Sequence, residues 1–168
     1  MTLNDHDRIS RAATRIRKIL VPTDFSENSN LALKCAMSFA RRFKARIILL
    51  NVIEKQNEYP DVYYSRLLTR QRIKSAVEKT MVLTCRRSRL RKPLLQDAIV
   101  REGLPCRTIC ETAKDQKADL IIIATHGRTG LAHIFEGSVT EKVIRYAPCL
   151  VLVVRNSGNH SHEMSKKW

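Results

Sequence analysis

The residues with the clearest chemical potential lie between Leu120 and Thr140. Leu120-Ile-Ile-Ile-Ala124 is a short, unbroken apolar run, the pattern of a parallel strand buried on both faces. It gives way to the polar, glycine-containing Thr125-His-Gly-Arg-Thr-Gly130, and Gly137-Ser138 opens a new helical pattern. A loop and a helix start both offer backbone N–H groups without intrahelical partners, and the helix dipole adds a partial positive charge there. Such an arrangement favours a bound phosphate, so the expected ligand is a phosphorylated small molecule, a nucleotide above all.

The elements that must position this loop can be read along the chain. Lys18–Pro22 is a first apolar strand, and Asp24 or Ser26 can cap the helix that follows, with Asp24-x-x-Glu27 at capping-box spacing. Leu31, Cys35 and Phe39, with Ala32, Ala36 and Ala40, form an amphipathic stripe. Residues 47–53 are a second buried strand. Ile73, Val77, Met81 and Cys85 recur every four residues and predict a helix over about 64–89 whose other faces are strongly basic. Residues 94–100 form a weaker third strand, interrupted by Gln96 and Asp97. Gly103-Leu-Pro105 turns into a third helix ending near Gln116. Leu120–Ala124, a helix from Ser138 to about Tyr146 with Ser138-x-x-Glu141 as a second capping box, and the strand Leu150–Val154 complete the series. Alternating strands and helices predict an α/β fold, a three-layer sandwich on a five-stranded parallel sheet. Ligands of such sheets sit beyond the carboxyl ends of the strands, where the strand order reverses. Thr23-Asp24, Asn51-Val52 and Ala124–Gly130 all lie at carboxyl ends.

Size and composition narrow the classes further. The chain has 168 residues, enough for one domain with a sizeable core, and 43% of them are hydrophobic. No apolar run reaches the roughly 20 residues of a membrane span. Residues 1–14 read as a polar leader with no secretory signal and residues 156–168 as a polar tail, leaving a single domain over 15–155. Five scattered cysteines without a CxxC pair suggest neither a disulfide framework nor a zinc site, and a reducing cytoplasm is the expected compartment. Cys106 and Cys110 read as small core side chains. The net charge is +15, and residues 66–92 carry ten Lys and Arg against the single acidic Glu78. That segment either serves solubility or attracts a polyanion or acidic protein.

Taken together, Lys18-Ile-Leu-Val-Pro-Thr-Asp-Phe-Ser26, Leu49-Leu-Asn-Val52, Asp119–Gly130, Gly137–Arg145 and Ala147–Val154 resemble the universal stress protein family over about residues 15–155. The resemblance implies the adenine-nucleotide alpha hydrolase-like sandwich with four helices and strand order 3-2-1-4-5. It also implies a homodimer paired through Leu150–Val154 and a cytoplasmic stress-response protein binding ATP, with Mg²⁺ as its companion ion. ATP-binding members carry Gly, two residues, Gly, nine residues, Gly, then Ser or Thr. Here Ala124 stands at the first glycine, Gly127 at the second and Gly137-Ser138 at the end. Alanine suits the first position provided φ stays negative there. Position by position, Pro22, Thr23 and Asp24 would border the adenine and Val52 would pack on the base. Ala124, Thr125, His126, Gly127, Arg128, Thr129 and Gly130 would surround ribose and phosphates. Gly137, Ser138, Val139 and Thr140 would give N–H and hydroxyl groups to the phosphates.

Each residue also has a plainer reading. Gly127 and Gly130 can be turn glycines, Ser138 and Asp24 helix caps, and Arg128 and Thr129 solvated loop residues. His126 has no carboxylate or nucleophile placed beside it by sequence, so no catalytic residue and no metal ligand is assigned. The His-x-Gly-His of nucleotidyltransferases, the Ser-Gly-Gly loop of pyrophosphatase-type amide-forming enzymes and the Walker lysine motif are absent. Their absence favours binding over turnover. Slow ATP hydrolysis or self-phosphorylation, with Ser138 or Thr140 as acceptor, and a nucleotide-free interaction module using residues 66–92 remain as alternatives.

Overall fold

The structure, a computed structural model, describes residues 16–54, 63–125 and 139–155, the side chains of 63–69 excepted. The chain runs β1 (Lys18–Pro22), α1 (Glu27–Phe43), β2 (Arg46–Glu54), α2 (Tyr63–Arg87), β3 (Leu95–Gly103), α3 (Pro105–Asp115), β4 (Leu120–Ala124), α4 (Val139–Tyr146) and β5 (Leu150–Val154). All strand pairs are parallel, in the order β3-β2-β1-β4-β5. The proposed leader, the tail and residues 126–138 lie outside the described residues.

The apolar runs explain the layering. Along β1, β2 and β4 successive side chains point to opposite faces, and both faces are covered. Ile19, Val21, Ile47, Leu49, Leu120 and Ile122 pack with Leu33, Ala36 and Met37 of α1 and with Met81 and Cys85 of α2. Leu20, Ile48, Leu50, Ile121 and Ile123 pack with Ile109 and Ala113 of α3 and with Val143 of α4. Two helices therefore cover each face. Burying each of these large aliphatic side chains stabilises the fold by about 1.5–3 kcal/mol, so the three central strands dominate the core.

The amino edge of the sheet is tied by Asp119. Its Oδ2 accepts hydrogen bonds from the backbone N–H of Arg17 at 2.8 Å and of Lys18 at 2.9 Å, satisfying donors that β1 cannot pair. Lys18 Nζ donates to the Gln116 carbonyl at 3.0 Å beside it.

Two local expectations are corrected, and the placement of Ile73 adds a third finding. Glu27 is the first helical residue of α1, so it cannot complete a capping box with Asp24. The cap is Ser26, whose hydroxyl accepts from Ser29 N–H. β3 continues to Gly103, beyond the expected end at residue 100, because it is an edge strand that can present charged residues to solvent. Arg101 pairs with Asp115 at 2.9 Å and Glu102 with Arg70 at 3.6 Å. Ile73 is not in the core. Every residue from Arg70 to Ala76 is exposed, and α2 reaches the core only through Val77, Met81 and Cys85. An every-fourth-residue pattern reveals a shared helix face but not where along the helix the neighbouring layer begins.

All five cysteines are free thiols. Cys106 and Cys110 are half-buried against the α3 side of the sheet, as small core side chains should be. Cys149, at the foot of β5, has its thiol pushed from its ordinary 9.0 up to about 11, chiefly by burial, then by the nearby Asp119 carboxylate.

Two outcomes follow from these contacts. Gly103 has φ +153, and a Cβ there would sit 2.5 Å from the buried Thr108 Oγ1. Gly103→Ala should destabilise the protein by about 1–3 kcal/mol in urea unfolding, and adding Thr108→Ala should recover only the steric part. The native state favours the neutral Cys149 thiol. Its contribution to stability is therefore complete below the unfolded thiol's titration near 9.0 and lost as pH rises toward about 11. Iodoacetamide at neutral pH should label native Cys149 roughly 100-fold more slowly than the unfolded chain, measured by peptide mass spectrometry.

Candidate functional site

The sheet reverses direction between β1 and β4. From β1 the chain winds outward through β2 to β3, then returns to place β4 on the other side of β1. The paired residues Ile19↔Leu120 and Leu20↔Ile121, continued upward, set Thr23 level with Ala124. The strand ends on either side of the reversal thus stop at one height. β2 runs past β1, whose last pair is Pro22↔Leu50, so Asn51–Glu54 forms one wall above the tip of β1.

The turn after β1 is held by a directed chain of hydrogen bonds. Phe25 N–H donates to Thr23 Oγ1 at 3.1 Å, and Ser29 Oγ donates to the Ser26 carbonyl at 3.0 Å. Each hydroxyl has one proton, so the buried 3.1 Å contact between Thr23 Oγ1 and Ser29 Oγ must be donated by Thr23. Asp24 Oδ1 accepts from Ser26 N–H at 3.0 Å. Phe25 has φ +66, a left-handed conformation that costs a bulky residue about 1–2 kcal/mol. Its ring packs against the α1 side of the core, and its N–H bond to Thr23 completes the hold. Strain of this kind persists only where the surroundings over-determine it, and it clusters at ligand sites.

Two further bonds tie strand tips to their neighbours. Asn51 Nδ2 donates to the Thr23 carbonyl at 2.7 Å, both buried, while Thr23 N–H donates to the Leu50 carbonyl at 2.8 Å. The tips of β1 and β2 are thereby locked together on both sides of Thr23. Asn51 was not among the sequence-derived site residues. The available signal was its type: an amide inside an otherwise apolar strand must find a buried partner. On the β4 side of the reversal, Thr140 Oγ1 donates to the Ala124 carbonyl at 2.8 Å, also buried. This bond pins the first turn of α4 to the end of β4. It also spends the only proton of the Thr140 hydroxyl, leaving the backbone N–H as the donor that Thr140 can offer elsewhere.

Of the sequence-derived site residues, Pro22, Thr23, Asp24, Val52, Ala124, Thr125, Val139 and Thr140 are described. All lie on this edge: at the tip of β1, along the projecting part of β2, at the end of β4 and at the start of α4. Val52 is half-buried on the α3 side of the sheet. Ala124 has its methyl in the α1-side cluster, and no positive φ is found there, so the backbone does not demand glycine. His126, Gly127, Arg128, Thr129, Gly130, Gly137 and Ser138 lie outside the described residues, as does the Ser138 capping box. Chemically, the edge offers an acidic side chain after β1, a half-buried apolar side chain on β2 and the positive dipole end of α4. Such a set suits a ligand with an apolar or aromatic end and an anionic end. Among the described residues, no group of three or more His, Cys, Asp or Glu could hold a metal ion.

Comparison with known proteins agrees with this architecture. The Universal stress protein family profile matches residues 15–155. Universal stress protein MJ0577 of Methanocaldococcus jannaschii is 34% identical over 158 residues, spanning 85% of this chain and 97% of that protein. The solved structure of MJ0577 superposes with a TM-score of 0.74, at 33% identity over 84% of this chain and 97% of that one. Universal stress protein UspA from Lactobacillus plantarum gives a TM-score of 0.65, at 30% identity over 84% of this chain and 99% of that one. A universal stress protein crystallised in complex with cAMP shares the fold, with a TM-score of 0.65 at 23% identity over 83% of this chain and 97% of that one. A parallel sheet reversed at its first strand, matched by profile, sequence and structure across the same residues, places this chain in the universal stress protein family.

Proposed function

We propose that this protein binds an adenine nucleotide, ATP, at the carboxyl edge of its sheet and works as a dimeric cytoplasmic stress-response regulator with little or no turnover. The observation that carries the reading is the Thr140–Ala124 bond. It ties the first turn of α4 to the carboxyl end of β4, which brings the positive end of the helix dipole to the edge where the strand order reverses and where anions are stabilised. Pro22, Thr23 and Asp24 border the base and Val52 packs against it. Residues 124–130 surround ribose and phosphates, and Gly137, Ser138, Val139 and Thr140 receive the phosphates, which Mg²⁺ accompanies. The cAMP complex supports an adenine ring and a phosphate as ligands within this fold. Thr140, its proton already donated inward, is poorly placed as a phosphoryl acceptor.

The dimer reading is supported by β5. It is an edge strand of five consecutive apolar residues, each only half-buried. Ile144 and Tyr146 of the adjacent α4 are 55% and 65% exposed, and a second subunit would cover them. An uncovered apolar edge of this kind invites strand pairing.

Thermal unfolding with Mg-ATP tests the ligand. At 100 times the dissociation constant, binding adds about 2.7 kcal/mol. For a chain of this size that should raise the melting temperature by about 5–10 °C. Adenosine or inorganic triphosphate alone should give a smaller shift, and no shift at millimolar ATP in protein stripped of ligand would remove the proposal. Thr140→Val leaves the Ala124 carbonyl unpaired and should cost about 1–3 kcal/mol of stability. It should also weaken ATP binding about 10-fold by calorimetry, whereas Thr140→Ser, which keeps the hydroxyl, should retain wild-type affinity.

A further inference from the structure

We propose that Asn51 is a positioning residue for base selection: its amide holds the Thr23 carbonyl in place of the Val52 N–H, and so keeps the Val52 peptide groups open to a ligand. This rests on the nucleotide reading above and deepens it, since it names the side chain that lets β2 discriminate between bases.

The sheet ladder fixes which way each peptide group of β2 points. Arg46 N–H donates to the Arg17 carbonyl at 2.7 Å, and the Leu50 carbonyl accepts from Thr23 N–H at 2.8 Å. At both ends, therefore, even-numbered residues of β2 face β1. Ile47 N–H donates to the Leu94 carbonyl at 2.7 Å, so odd-numbered residues face β3. In a parallel pair the N–H and C=O of one residue face the same neighbour, and the direction alternates along the strand. Val52 must then aim both groups toward β1. Its N–H would take the Thr23 carbonyl as the next rung of the ladder.

That rung is missing. The last pair is Pro22↔Leu50, and the chain turns away through Asp24 and the left-handed Phe25. The Thr23 carbonyl accepts Asn51 Nδ2 instead, at 2.7 Å. Ile47 and Leu49 lie in the α1-side cluster, Leu50 and Val52 in the α3-side one, so alternation puts Asn51 on the α1 side. The amide thus reaches the carbonyl from one face and leaves the strand edge clear. Among the described residues, the Val52 N–H and C=O have no β1 partner. A donor and an acceptor remain side by side above the tip of β1. Their complement is a ring nitrogen acceptor beside an exocyclic amino donor, the Watson–Crick edge of a 6-aminopurine. A 6-oxopurine presents the reverse, a ring N–H beside a carbonyl, and turning that base over would carry its ribose away from the phosphate-binding end. An apolar residue at position 51 would leave the Thr23 carbonyl to the ladder's own donor, Val52 N–H, and close the edge.

The experiment is calorimetric titration of the full chain with the magnesium salts of ATP and of inosine triphosphate, which differs from ATP only in its 6-oxo base. Wild-type protein should prefer ATP by at least about 10-fold. Asn51→Leu, close to asparagine in shape, should weaken ATP about 10-fold and leave inosine triphosphate within about two-fold, so that the preference disappears. Asn51→His, whose Nδ1 stands as many bonds from the backbone as Asn51 Nδ2, should restore it. If Asn51 merely stiffened the strand tips, both nucleotides would weaken together and the preference would survive, which would overturn the proposal. Equal binding of the two nucleotides by the wild type would also overturn it and leave nucleotide binding standing. Binding of neither would remove the nucleotide reading and this inference with it. Amide exchange on the ligand-free protein supplies a second readout. The Val52 amide should exchange nearly as fast as an unprotected one while Leu50 stays protected, and Asn51→Leu should slow it, where a loosened strand tip would speed it. A Val52 amide already protected in the wild type would overturn the proposal without relying on any variant.

Discussion

A ligand can be gripped by three separate loops only if the strand ends that carry them are held at fixed distances. In this chain that constraint is met by two buried side-chain amide or hydroxyl bonds to backbone carbonyls. Asn51 holds the Thr23 carbonyl, joining the tips of β1 and β2. Thr140 holds the Ala124 carbonyl, joining α4 to β4. Each bond lies where water cannot substitute for a lost partner, so its loss costs more than its formation gains. The turn from Thr23 to Ser26, with a strained Phe25 locked by the hydroxyl relay, hangs from the first of these ties.

The two ties work because the strands beneath them cannot shift. β1, β2 and β4 are sealed on both faces, and a slip of one residue would exchange every side chain between the α1 and α3 layers. The same burial sets the thiol chemistry, since Cys149 sits low enough in the second layer for its proton to be held firmly. At the opposite edge, Asp119 fixes the start of β1 through two backbone N–H groups. Both ends of the central strand are therefore determined, leaving the carboxyl edge as a rigid platform.

Much of this was legible from residues alone. Continuous apolar runs located β1, β4 and β5 to the residue, because polar or turn-forming residues bound each run. β3 was cut short because an edge strand tolerates Arg101 and Glu102 on its exposed side, which reads as a loop. The spacing of Ile73, Val77, Met81 and Cys85 marked one helix face but could not tell that Ile73 lies beyond the sheet, because periodicity does not record how far the neighbouring layer extends. The described site residues all fell on the expected edge. The two tying bonds were not foreseen, because hydrogen-bond partners 28 and 16 residues apart depend on tertiary geometry. Asn51, alone among aliphatic neighbours, was the visible trace of one of them. Membership of the universal stress protein family, inferred from motifs, is shown by the matching profile and relatives.

The central claim is that one rigid edge, built from the tips of β1, β2 and β4 and the start of α4, receives the nucleotide. Amide hydrogen exchange of the wild-type protein with and without Mg-ATP measures this residue by residue. The account predicts added protection at Thr23–Ser26, Asn51–Ile53, Thr125 and Val139–Thr140 together, with the amino edge around Asp119 unchanged. Protection confined to α2, or spread evenly over the sheet, would contradict it.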